Sequence, residues 1–139
     1  MTLVVDTGPL VAAADVDDRH HARCVELLSA APAPIIVPVL AVTEAAYFLA
    51  RRLGAAAERA FADSIRRGEL LVEAVEPADW ERIEELLERY ADLGLGIVDA
   101  SIVAACERLG EEKLATLDHR HFGAVRPRHC PALTLLPDS

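Results

Sequence analysis

Aromatic side chains make up only 4% of this 139-residue sequence, so its core must be built mostly from Leu, Val, Ile and Ala. Cysteine is scarce as well: Cys24, Cys106 and Cys130 lie far apart, are odd in number and form no CxxC pair. That argues for reduced thiols and against a disulfide framework or a zinc knuckle. No apolar run is long enough to span a membrane, and the N-terminus enters a strand pattern without a charged leader or signal-type segment. The chain is therefore expected in the cytosol. Lysine is nearly missing, since 13 of the 14 basic residues are Arg, and 23 acidic residues set the net charge at -9. Phosphates want basic surface, so this charge works against a nucleic-acid role. The arginines cluster, however, at Arg51-Arg52, at Arg66-Arg67 and at Arg126 with Arg128. Local basic patches are compatible with an acidic total.

Apolar residues make up 53% and charged residues 27%, with clear periodic patterns, as in one folded domain over residues 1–139. Leu3-Val4-Val5 runs straight into Asp6, and Gly8-Pro9 ends the run. A short apolar run bounded by turn residues reads as a strand buried on both faces. Ile35-Ile36-Val37, residues 69–75, residues 113–117 and residues 132–136 give four further strands. Helices are expected over residues 18–30, 39–53, 55–67 and 97–109, several of them closed by glycine. Another opens at Pro77, where Trp80, Ile83, Leu86, Leu87 and Tyr90 recur at helical steps. Strands alternating with helices predict an α/β domain with a mostly parallel sheet.

Most of the carboxylates are solvated, as Glu81, Glu84, Glu85 and Glu88 are on the polar side of their helix. Four are not. Asp6 ends the first strand, where an open α/β sheet binds ligands, although a helix cap accounts for it equally well. Asp118 ends the fourth strand in the same way, with a turn aspartate as the other account. Glu44 shares a helix face with Leu40, Tyr47 and Phe48, and Asp99 precedes Ile102, Val103 and Cys106 on another apolar stripe. Pairing of Glu44 with an arginine and capping by Asp99 are the bland alternatives. Burying an unpaired carboxylate costs roughly several kcal/mol, so four in one core need a shared positive partner. A hard divalent cation takes oxygen ligands and fits that need. His119 and His121, without zinc-ligand spacing, read as surface residues of a turn.

Val4-Val5-Asp6-Thr7, Val42-Thr43-Glu44, Gly96-Ile97-Val98-Asp99-Ala100-Ser101 and Leu114-Ala115-Thr116-Leu117-Asp118 followed by His121-Phe122 together resemble the PIN domains of VapC-like ribonucleases. These are the toxins of type II toxin–antitoxin systems. The resemblance implies a three-layer αβα fold with a parallel five-stranded sheet. It implies Mg2+- or Mn2+-dependent cleavage of single-stranded RNA, a homodimer, and an antitoxin whose C-terminal segment covers the active site. Carried over by position, the catalytic, metal-holding acids are Asp6, Glu44, Asp99 and Asp118. Thr7 and Thr116 fall where the family has hydroxyls beside the first and last acids, and Asp92 where some members carry an extra acid. The net charge departs from what an RNA-binding protein would show.

Three other readings compete. A phospho-acceptor receiver module also gathers acids around Mg2+, but wants an aspartate ending its third strand, where this chain has Leu70-Leu71-Val72-Glu73. An aspartic protease shares the string around Asp6-Thr7-Gly8, but is all-β. A PIN-like domain that only binds partners would be free to lose its acids, and all four are present.

Overall fold

The short apolar runs become the strands of one sheet in the computed structural model, which describes residues 2–138. They are β1 (Leu3–Val5), β2 (Ile35–Pro38), β3 (Leu70–Glu73), β4 (Lys113–Ala115) and β5 (Thr134–Leu136). All neighbours run parallel, in the order β3-β2-β1-β4-β5. Central β1 puts Val4 opposite both Ile36 and Leu114, and Val4 and Val5 are fully buried. A strand covered on both faces and both edges can be apolar at every position. Edge strand β3 instead leaves Leu71 and Val72 exposed.

Between the strands run α1 (Thr7–Ala14), α2 (His21–Ala30), α3 (Val39–Leu53), α4 (Ala55–Arg66), α5 (Pro77–Arg89), α6 (Ile97–Leu109) and α7 (His119–Ala124). From β1 to β3 the chain moves one way across the sheet, and then it returns to the other side of β1. Right-handed crossovers therefore place α1 to α4 on one face and α5 to α7 on the other. Helix α1 packs on α2 and α3, α3 on α4, and α5 on α6. Every residue of α6 from Ala100 to Cys106 is buried, as expected of a helix apolar on all sides. Arg82 in α5 grips Glu107 in α6 through two bonds of 2.8 and 2.9 Å, fixing the two helices in register. No helix among the described residues is long and apolar enough to cross a membrane.

The structure corrects the sequence reading at several points. Gly8-Pro9 does not end anything: α1 starts at Thr7, and Pro9 sits in its first turn, where its missing N–H costs nothing. The helix expected from Asp18 begins at His21, β3 stops at Glu73, and β5 starts only at Thr134. Strand β4 ends at Ala115, so Asp118 does not end it but caps α7. Trp80 is 46% exposed, off the buried stripe formed by Ile83 and Leu86. Tyr47 is 56% exposed, since the inner face of α3 runs through Ala41, Ala45 and Leu49. Glu44 lies beside that face, half-buried.

Candidate active site

The order of the strands reverses between β1 and β4, and the crevice beyond their carboxyl ends is where such sheets bind ligands. Asp6 continues β1 into that crevice, its N–H bonded to the Ala115 carbonyl at 2.9 Å. Its carboxylate accepts from the Thr7 N–H at 2.7 Å and from the Thr116 hydroxyl at 2.8 Å. The Thr116 oxygen, fully buried, accepts in turn from the Asp118 N–H at 3.0 Å. One hydroxyl thus fixes the spacing of two acids that lie 112 positions apart in the chain. Asp6 is both cap and cleft residue. Burial raises its pKa to about 6, against the opposing bonds from Thr116 and Thr7, and Asp99 and Glu44 push it further up.

The other acids arrive on helices. Glycine at 96 begins α6, so Asp99 stands in its first turn, where the helix dipole favours a negative charge. Its pKa is raised even so, by burial first and then by Asp118, while His121 and the Gly96 backbone pull it down. Glu44 approaches from α3. Asp6, Thr7, Glu44, Asp99, Asp118 and Arg52 line a cleft of about 290 Å³. A larger groove of about 820 Å³ between α1, α3 and α4 is mostly apolar and carries none of these acids. Asp92 is exposed on the 3-10 turn Ala91–Leu93 and does not line the cleft.

His121 is the site residue that the sequence concealed. It is not a free surface side chain: its Nδ1 lies 2.6 Å from Asp118 Oδ2 and its Nε2 3.1 Å from the Leu93 carbonyl. Its backbone N–H also donates to Asp118 Oδ1 at 3.0 Å. The three-residue spacing from a helix-capping aspartate was the available signal. Its pKa is raised, chiefly by the bond to Asp118. Single ligand atoms of Asp99, Asp118 and His121 lie within 4.8 Å of one another. Both ring nitrogens are already engaged, however, one by a carboxylate and one by a carbonyl, so His121 would have to give up a contact to ligate a metal. We therefore assign His121 as a brace for Asp118 and leave metal binding to the carboxylates.

This donor set suits a hard divalent cation: several carboxylate oxygens, no thiolate and no free imidazole. A second feature points the same way. Thr7 Oγ1 is buried at the cleft without a hydrogen-bond partner among the described residues. An orphaned hydroxyl beside crowded carboxylates is suited to a bound water or a phosphate oxygen.

Comparison with known proteins places the fold and the sequence in a family. A family model described as the PIN domain matches residues 3–126. Ribonuclease VapC26 of Mycobacterium tuberculosis is 30% identical over 135 residues, covering 97% of this chain and 100% of that protein. The crystal structure of Mycobacterium tuberculosis VapC20, named as a sarcin-ricin loop cleaving toxin, superposes with a TM-score of 0.74 at 26% identity. The match covers 81% of this chain and 86% of that one. VapBC2 from Rickettsia felis, bound to a promoter DNA fragment, shares the fold with a TM-score of 0.69 at 18% identity, over 97% of each chain.

Proposed function

The chain belongs to the PIN-domain family, and we propose that it is a VapC-like endoribonuclease, the toxin of a toxin–antitoxin pair, that cleaves single-stranded RNA with Mg2+ or Mn2+. The observation that carries this is the convergence of Asp6, Glu44, Asp99 and Asp118 on one cleft at the reversal of strand order. A divalent cation held by these four carboxylates would supply a water made nucleophilic at neutral pH and would offset negative charge on the reacting phosphate. The protein's own groups orient and hold. Thr116 fixes Asp6 against Asp118, and His121 fixes Asp118 against the Leu93 carbonyl. The free Thr7 hydroxyl is placed to donate to a water or a phosphate oxygen. No side-chain nucleophile is needed.

A receiver module is disfavoured on topology, because its third strand lies on the other side of the first, whereas here β3 pairs with β2. We further propose a cytosolic homodimer held inactive by an antitoxin that seats a basic side chain among the four acids, where a charge-assisted pair would form. The test is cleavage of single-stranded RNA by the purified chain freed of any partner. Cleavage should appear with Mg2+ or Mn2+ and vanish with chelator. Chelator-insensitive cleavage by a homogeneous preparation would remove the metal from the mechanism. In the same preparation, light scattering at the mass of one chain would rule out the dimer.

A further inference from the structure

A chain with a net charge of -9 must still hold a polyanion next to its acidic cleft. The structure shows which basic cluster is available for that. Arg66 and Arg67 are neutralised by Asp63 and Glu69, and Arg128 by Glu85. The side chain of Arg126 forms no ion pair among the described residues, but it does not line the cleft. Arg51 and Arg52 remain. Arg51 has no ion pair among the described residues, and Arg52 has only a loose 3.8 Å contact with Asp18.

Both arginines stand on α3 about two turns beyond Glu44, and each lies over an aromatic ring of the preceding turn. The Arg51 guanidinium is 5.5 Å from the Tyr47 ring centre, and that of Arg52 is 5.7 Å from the Phe48 ring centre. The two rings meet edge to face, 5.5 Å apart at 70°. Phe48 and Arg52 line the cleft with the acids, while Tyr47 is 56% exposed beside them. From Glu44 to Arg52 the stripe runs about 12 Å along the helix. A guanidinium stacked on a ring keeps its in-plane N–H donors free for a phosphate. An exposed ring offers a stacking surface to any base, which is how proteins hold single strands without reading them. A closed surface ornament would account for the stacking, but not for an exposed Tyr47 and an Arg51 unpaired among the described residues, each one position from a residue, Phe48 or Arg52, that lines the acidic cleft.

We infer that Tyr47, Phe48, Arg51 and Arg52 form the track that holds the single strand beside the scissile phosphate. This rests on the ribonuclease assignment and names the part of the protein that binds the substrate outside the reacting centre. Tyr47 stacks one base, and Arg51 and Arg52 contact the flanking phosphates. Because these contacts hold the flanking base and phosphates and not the reacting bond, they are made equally before and during the reaction and act on KM rather than kcat.

The experiment compares wild type with Tyr47→Ala, Arg51→Gln and Arg52→Gln, after unfolding midpoints confirm that all are folded. Cleavage kinetics on one single-stranded RNA are read beside its binding to the same variants in an Asp6→Asn background, by fluorescence anisotropy across a salt series. Tyr47→Ala should raise KM about tenfold, the size of one lost base stack, with kcat within about twofold. Each arginine variant should lower the slope of log affinity against log salt by about 0.7. If wild type cleaves and the variants keep its KM and salt slope, the track is overturned and the ribonuclease assignment stands. If the variants instead lose a protein partner or a second copy of the chain at unchanged KM, α3 is a protein interface and the track is likewise overturned. If wild type cleaves no RNA, the ribonuclease assignment fails and takes the track with it.

Discussion

Asp6 shows how a site acid is tolerated and what it costs. Its carboxyl titrates at about 6 in place of 3.8 because burial penalises the charge more than Thr116 and Thr7 favour it. The native state therefore binds more protons than the unfolded chain over that window. Its contribution to stability falls as pH rises from about 4 to about 6 and stays lost above. The full loss is roughly 3 kcal/mol. His121 acts in the same direction in a later window. Its raised pKa makes a contribution that is complete below 6.5 and is lost as pH rises through the higher folded value. Asp6→Asn removes the first window and leaves the second. The amide keeps the shape and accepts from Thr7, but its NH2 must face the Thr116 hydroxyl, a loss of about 1 kcal/mol. That is smaller than the desolvation it relieves. Metal-free Asp6→Asn should therefore be at least as stable as wild type above about pH 6, lose less stability than wild type between about pH 4 and 6, where the raised pKa of Asp99 still acts, and be inactive on RNA. Urea unfolding in chelator from about pH 4 to 8 measures this. A variant that unfolds without metal would make Asp6 a structural cap and nothing more.

Helix α3 carries Glu44 and the proposed RNA track, and its end is set by one glycine. Gly54 closes α3 and opens α4 at φ 93 and ψ -178, a region open almost only to glycine. No atom lies within 4 Å of a Cβ built there, so alanine would strain its own backbone and clash with no neighbour. Gly54→Ala should lower stability by about 1–3 kcal/mol, read as a shift in the urea midpoint. An unchanged midpoint would show that the α3–α4 joint relaxes freely. The same residue made α3 legible: Pro38 before it and Gly54 after it bracket the helix in sequence. Pro77 likewise announces α5. Helix α1 was hidden because it follows its strand without a linker, is apolar on every side and shows no helical period. Helix α7 spans only six residues, too few to leave a pattern. The site followed the same rule. Asp6, Glu44, Asp99 and Asp118 stood out as acids in apolar surroundings. His121 did not, since its partners are the cap of that short helix and the carbonyl of Leu93, 28 positions away in the chain. Asp92, read from family resemblance alone, faces solvent.

For the molecule as a whole, a chain of net charge -9 concentrates like charges in a cleft of about 290 Å³, and the metal-free fold bears that repulsion. Mutual crowding is visible in Asp99, which Asp118 and Glu44 push upward, and in Asp6, which Asp99 and Glu44 push upward. A cation that binds only the native state stabilises it by mass action, by about 2.7 kcal/mol at a hundredfold excess over its dissociation constant. Wild type should therefore unfold at a higher temperature across a Mg2+ titration, and Asp6→Asn should gain markedly less. Bulk screening also helps an acidic protein, because added salt weakens repulsion between surface charges. A K+ series at matched ionic strength separates the two effects: screening raises both proteins equally, whereas site binding favours wild type. The difference should be largest near neutral pH. Below about 6 protons compete with the cation for Asp6, so the Mg2+ response of wild type should shrink toward that of the variant. If both proteins respond equally to Mg2+ at neutral pH, the cation binds elsewhere and the four acids are not its site.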